Sequence, residues 1–178
     1  MIFGERVRLR RVEREDLPRF VQWLNDAEVR EHLAAVYPMS HVHEEQWFAD
    51  TLKLEPALQP FAIDVRAAEA WIHVGGTALH NVDWRNRSAE LGIFLGDKSI
   101  WGAGYGTEAL RTFVAWAFRE LNLNRVWLKV YEDNARGIRC YEKVGFRREG
   151  RLRQDRFHSG RYQDTLLMGL LREESGSS

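Results

Sequence analysis

The run Trp101-Gly102-Ala103-Gly104-Tyr105-Gly106-Thr107 sets three glycines at alternate positions just ahead of the clearest helical stretch in the chain. Over residues 107–121, Leu110, Phe113, Val114, Ala117 and Leu121 form one apolar face at helical spacing. Glycines in this arrangement let the backbone approach a ligand closely and adopt dihedrals that other residues avoid. The helix that follows leaves its first N–H groups without intrahelical acceptors and carries partial positive charge at that end. Together these make a cradle for a phosphate or pyrophosphate, with a simple connecting turn as the plain alternative. A Walker A loop is excluded, because Gly106 is followed by Thr107 with no lysine between. Gly104-Tyr105-Gly106-Thr107-Glu108-Ala109 satisfies the relaxed dinucleotide pattern, but Gly96-Asp97-Lys98-Ser99-Ile100 separates it from the preceding strand.

The rest of the chain surrounds this loop with mixed elements. Val7-Arg8-Leu9-Arg10 alternates as a half-buried strand does. Asp16 opens a helix carrying Leu17, Phe20, Val21 and Leu24 on one face, with Pro18 tolerated in its first turn. Further helices are expected over residues 27–33 and about 44–54. After Pro56 and Pro60 the period changes, and strands over 61–65, 72–79 and 88–95 form an antiparallel meander. A strand over 125–130 and a helix over 134–143, ended by Gly145, follow the central helix. The stretches 146–157 and 162–171 flank His158-Ser159-Gly160 as a hairpin. The element order predicts a mixed α/β sheet, not a regular βαβ alternation.

Composition removes several function classes. With 178 residues, 44% of them apolar, the chain can bury a sizeable core and is not intrinsically disordered. Residues 1–172 are read as one domain and the small polar residues 173–178 as a flexible tail. Twenty-six basic against 26 acidic residues leave no excess charge for a broad nucleic-acid surface. The single cysteine, Cys140, excludes an internal disulfide framework and fits a reducing cytoplasm. No uninterrupted apolar window is long enough to span a membrane, and the N-terminus lacks the apolar stretch of a signal peptide. The six histidines show no metal-ligand spacing, so no metal is expected.

The stretch from Gly96 through Ala109 resembles the acetyl-CoA loop of GNAT-type N-acetyltransferases, in particular their RimJ/RimL-like branch. A second block agrees, Asn134-Ala135-Arg136-Gly137-Ile138-Arg139-Cys140-Tyr141-Glu142-Lys143-Val144-Gly145-Phe146, and weaker matches lie at Leu9-Arg10, Trp23-Leu24-Asn25-Asp26 and Trp47-Phe48. The loop departs from the family pattern at Trp101, where Gln or Arg is usual. The resemblance implies a GNAT-like, mostly antiparallel central sheet with a V-shaped splay, flanked by helices. It implies acetyl-CoA as cosubstrate, bound through the backbone of Ile93, Phe94 and Leu95 and by Trp101, Gly102, Ala103, Gly104, Tyr105, Gly106 and Thr107.

Acetyl transfer to an amine needs a neutral nucleophile, a stabilised oxyanion and a proton for the departing thiolate. By resemblance Tyr141 supplies that proton, with a core tyrosine as the plain alternative. Glu90, in Ala89-Glu90-Leu91-Gly92-Ile93, is the base candidate; otherwise it faces solvent or pairs with Arg85 or Arg87. Asn134 reads as a helix N-cap and, by resemblance, as a pantetheine contact. The acceptor pocket falls to Trp23, Asp26, Glu28, Tyr37 and Trp84, with His158 near it and His41-Val42-His43 in an exposed loop at its rim. Asp26 and Glu28 suit a cationic amine and the aromatics its apolar part. The acceptor is a primary amine, either a peptide N-terminus or a small molecule, and family resemblance allows a homodimer. A non-catalytic acyl-CoA-binding module and a dinucleotide-binding oxidoreductase are the competing readings.

Overall fold

The structure is a computed structural model describing residues 1–68 and 70–176. A short strand β1 (Ile2–Phe3) leads into β2 (Val7–Arg11), whose alternation buries Val7 and Leu9 completely and sends Arg8 and Arg10 to the opposite face. Then come helices α1 (Leu17–Asn25), α2 (Ala27–Arg30) and α3 (His41–Thr51) and strands β3 (Phe61–Ala67), β4 (Ala70–Asp83) and β5 (Ser88–Leu95). The second half runs α4 (Tyr105–Glu120), β6 (Arg125–Tyr131), α5 (Ala135–Val144), β7 (Arg147–His158) and β8 (Arg161–Leu171). The strand order is β1-β2-β3-β4-β5-β6-β8-β7. β5 and β6 pair in parallel from Ser88↔Arg125 to Glu90↔Trp127. The pairs β1–β2, β2–β3, β3–β4, β6–β8 and β7–β8 are antiparallel. This is the mixed sheet the element order predicts, and it is mostly antiparallel, as the family resemblance implies.

Several boundaries differ from the sequence reading for local reasons. α3 begins at His41 because the Ser40 side chain accepts from the His43 N–H at 3.2 Å and caps the helix. His41, Val42 and His43 are therefore the exposed first turn of a helix and not a loop. α2 stops at Arg30, three residues short of the expected end. β4 is longer than expected, because its hairpin with β3 pairs right down to Ala67↔Ala70. Residues Arg172–Glu174 form a 3-10 turn in which Glu174 accepts from the Leu171 N–H and pairs with Arg147 at 2.8 Å. Of the expected tail, Ser177 and Ser178 lie outside the described residues.

The chain divides into two compact units, Met1–Leu79 with Gly92–Phe113, and His80–Leu91 with Val114–Ser178. In the first, Val12, Leu17, Phe20, Trp23, Val29, Phe48 and Ala62 form one buried cluster, joined by the half-buried Leu33, Phe94 and Trp101. Each such large side chain contributes about 1.5–3 kcal/mol by leaving water. In the second unit, Val126, Leu128 and Val130 of β6 are buried at every second position, as are Met168 and Leu170 of β8. Helix α5 of that unit ends at Gly145, whose φ of 113° suits glycine. There the N–H groups of Gly145 and Phe146 donate to the Tyr141 carbonyl. Among the described residues no helix is long and apolar enough to cross a membrane.

Candidate active site

In the first unit the glycine loop takes the backbone shape its sequence suggests. Gly102 and Gly104 have φ of 80° and 89°, and a Cβ on Gly102 would meet nothing within 4 Å. α4 starts at Tyr105, and its first hydrogen bond runs from the Glu108 N–H to the Gly104 carbonyl at 3.1 Å. The N–H groups of Tyr105 and Gly106 precede that bond, so the helix itself offers them no i−4 acceptor. Gly102, Ala103 and Gly104 are exposed, while Tyr105, Gly106 and Thr107 are half-buried. Trp101 is spent differently. Its indole Nε1–H donates to the Leu95 carbonyl at 2.9 Å, tying the loop to the end of β5. Ile93, Phe94 and Leu95 are half-buried at that end, beyond the stretch of β5 paired with β6.

The close approach between β4 and the end of β5 depends on glycine. A Cβ on Gly75 would stand 2.2 Å from the Phe94 carbonyl oxygen, and one on Gly96 would stand 2.0 Å from the Trp23 indole. Trp23 therefore packs as a core ring, 8% exposed, edge-on to His73 and Phe20, and does not line an open acceptor pocket. Tyr37, by contrast, is 82% exposed. Asp26 caps α2 by accepting from the N–H groups of Glu28 and Val29. Both expected amine-binding carboxylates already hold an ammonium, since Lys98 Nζ lies 2.8 Å from Asp26 Oδ2 and 3.1 Å from Glu28 Oε2. The Lys98 ammonium and the capping N–H groups hold the Asp26 carboxyl below its ordinary range.

Two features of this unit escape a sequence reading. A buried ionic cluster joins Arg10 to Asp16 through two hydrogen bonds of 2.6 and 2.7 Å, and both Arg10 and Arg8 to Asp64 at 2.9 and 2.8 Å. His73 stands beside it, with Nδ1 3.2 Å from Asp16 Oδ1 and Nε2 2.9 Å from the Gly75 carbonyl. Burial would raise the Asp16 carboxyl, yet the Arg10 fork and the Glu13 N–H outweigh it and hold the group low. The same burial lowers His73, against the pull of Asp16. The second feature is Glu44, 3% exposed on α3, whose carboxyl burial pushes up to about 7. Alternating arginines in β2 and an aspartate within the apolar run of β3 are the sequence signals for the cluster; Glu44 has none.

In the second unit, Glu90 is half-buried on β5 and accepts from Asn81 Nδ2 at 2.6 Å. Trp84 lies 46% exposed in the β4–β5 turn. Asn134 is an N-cap, its side-chain oxygen accepting from the Gly137 N–H at 2.9 Å, which leaves its amide N–H₂ available. Tyr141 sits on α5 with its ring 6.1 Å from that of Phe146. Burial first, and the neighbouring Cys140 second, raise its phenol far above the ordinary value. Among the described residues no group of three or more His, Cys, Asp and Glu side chains could hold a metal ion.

Comparison with known proteins places this geometry in a family. Residues 6–147 match the model of the acetyltransferase (GNAT) domain. An uncharacterized N-acetyltransferase p20 of Bacillus licheniformis is 31% identical over 97% of both chains. A spermidine N(1)-acetyltransferase of Vibrio cholerae is 31% identical over 57% of this chain and 58% of its own. The crystal structure of spermidine N-acetyltransferase from Vibrio cholerae in complex with CoA and spermine superposes with a TM-score of 0.87 at 25% identity, covering 96% of this chain and 98% of that one. The chain belongs to the GNAT acetyltransferase family and is an acetyl-CoA-dependent N-acetyltransferase.

Proposed function

We propose that this enzyme, of the RimJ/RimL-like branch, acetylates a primary amine of a small polycation in a ternary complex, with a peptide N-terminus as the alternative acceptor. The observation that carries the reading is the loop whose two positive-φ glycines run into the N-terminus of α4. Main-chain N–H groups directed from such a turn suit the pyrophosphate of acetyl-CoA. Gly102 through Thr107 hold that group, and the backbone of Ile93, Phe94 and Leu95 receives the pantetheine arm as an added strand. The Asn134 amide is a further pantetheine donor.

The neutral amine attacks the thioester carbonyl, the C–S bond breaks, and the thiolate takes a proton. Tyr141, a phenol protonated at neutral pH, gives that proton. The proton lost by the amine passes to Glu90 through water. For the acceptor, support comes from the relative whose structure contains spermine. Calorimetric titration with acetyl-CoA, run beside NADH, tests the cofactor. Thiol release with spermidine, spermine and a short peptide tests the acceptor. Acetyl-CoA binding without NADH binding, and turnover on the polyamines, are expected. Turnover on the peptide alone would overturn the polycation assignment.

A further inference from the structure

Arg6 lies just ahead of β2, ninety-seven residues before Ala103, yet it reaches the part of the glycine loop that runs into α4. Its Nε donates to Glu108 Oε2 at 2.9 Å, and its main-chain N–H donates to Glu108 Oε1. Its Nη1 is directed at the Ala103 carbonyl at 3.4 Å. Its guanidinium carbon stands 4.7 Å above the Tyr105 ring, and its Nη2 lies 3.4 Å from where a Cβ on Gly104 would be. The three contacts touch three consecutive parts of the turn: the carbonyl before Gly104, the ring after it, and the first hydrogen-bonded turn of α4.

We propose that Arg6 is the positioning residue of the phosphate loop, holding the Ala103 carbonyl on its own side so that the N–H groups of the turn face the acetyl-CoA pyrophosphate. The proposal rests on the loop being the acetyl-CoA site. Trp101, at the position where the family has Gln or Arg, spends its indole on Leu95 and brings no cation to the turn. A guanidinium can do this work because its planar fork satisfies a carboxylate and a carbonyl at once, while one face covers an aromatic ring. A lysine ammonium can pair with Glu108 but cannot also cover Tyr105 and reach Ala103. Because Glu108 neutralises Arg6, the effect on phosphate binding works through loop geometry and not through added charge.

The test compares Arg6→Ala, Arg6→Lys and Glu108→Gln with the parent enzyme by calorimetric titration of CoA, at a temperature well below each variant's thermal midpoint. Activity is measured on acetyl-CoA and on S-acetylpantetheine, which lacks the pyrophosphate. Arg6→Ala is expected to weaken CoA about fivefold, the factor equivalent to about 1 kcal/mol for a half-exposed ion pair. KM for acetyl-CoA rises while kcat holds, and kcat/KM on S-acetylpantetheine does not change. Arg6→Lys recovers part of the loss, and Glu108→Gln behaves like Arg6→Ala. Unchanged CoA affinity in Arg6→Ala overturns the proposal while leaving the loop assignment standing. An equal loss on S-acetylpantetheine also overturns it, since that reports general disruption. A parent enzyme that does not bind CoA overturns both.

Discussion

Glu44 makes stability depend on pH in a way that one substitution can remove. The residue is 3% exposed, and among the described residues its carboxylate has no hydrogen bond or ion pair. Burial pushes the group up from its ordinary 4.5 to about 7. Between those values the unfolded chain has released a proton that the folded protein still holds. Folding stability therefore falls as pH rises from about 4.5, and the loss levels off above about 7. Its ceiling is 7 − 4.5, or about 2.5 pH units at about 1.36 kcal/mol each, on the order of 3 kcal/mol. Glu44→Gln keeps the side-chain length and abolishes the titration. Urea denaturation of parent and variant at pH 5 and pH 8 reads the effect directly. Because part of the loss is already present at pH 5, the advantage of the variant is expected to grow by about 2–3 kcal/mol between the two. A difference between the two proteins that stays constant across that range would refute the assignment of Glu44 as a buried, unpartnered acid.

Tyr141→Phe should lower kcat about a hundredfold while leaving acetyl-CoA affinity by calorimetry unchanged, because only the proton for the thiolate is lost. Gly75→Ala drives a Cβ to within 2.2 Å of the Phe94 carbonyl, a backbone atom that cannot swing aside. A thermal melt should show a midpoint far below that of the parent, and an unchanged midpoint would contradict the close approach of β4 and β5. Asn134→Ala removes the cap of α5 and should cost about 1 kcal/mol in denaturant unfolding. Asn134→Asp, which can still accept from the Gly137 N–H, should retain most of that stability.

Where a structural choice is local, the residues themselves reveal it. The strand Ser88–Leu95 and the hairpin turning at Ser159 and Gly160 are visible in period and turn chemistry alone. Of the three loop glycines, Gly102 and Gly104 take positive φ and Gly106 does not. Helix ends were less legible, since α3 starts where Ser40 caps it, upstream of its apolar spacing. The partners of charged groups were not legible at all. Lys98 takes Asp26 and Glu28, Asn81 takes Glu90, and Arg6 takes Glu108, pairings that tertiary structure sets at separations from 9 to 102 residues. Trp23 read as a pocket aromatic because a ring on an amphipathic helix looks the same whether it meets solvent or Gly96.

The cluster of Arg8, Arg10, Asp16 and Asp64 is balanced only as a set. Neutralising one member strands an opposite charge in the interior, at a cost of about 3–5 kcal/mol, whereas replacing an acid and a base together leaves no stranded charge. Among descendants of this sequence, single changes at these four positions should be purged, and surviving changes should arrive in coupled pairs. Position 10 carries the greatest constraint, because its one guanidinium serves both aspartates. Strand β2 and the helix entrance at Asp16 are thus bound into a single hereditary unit.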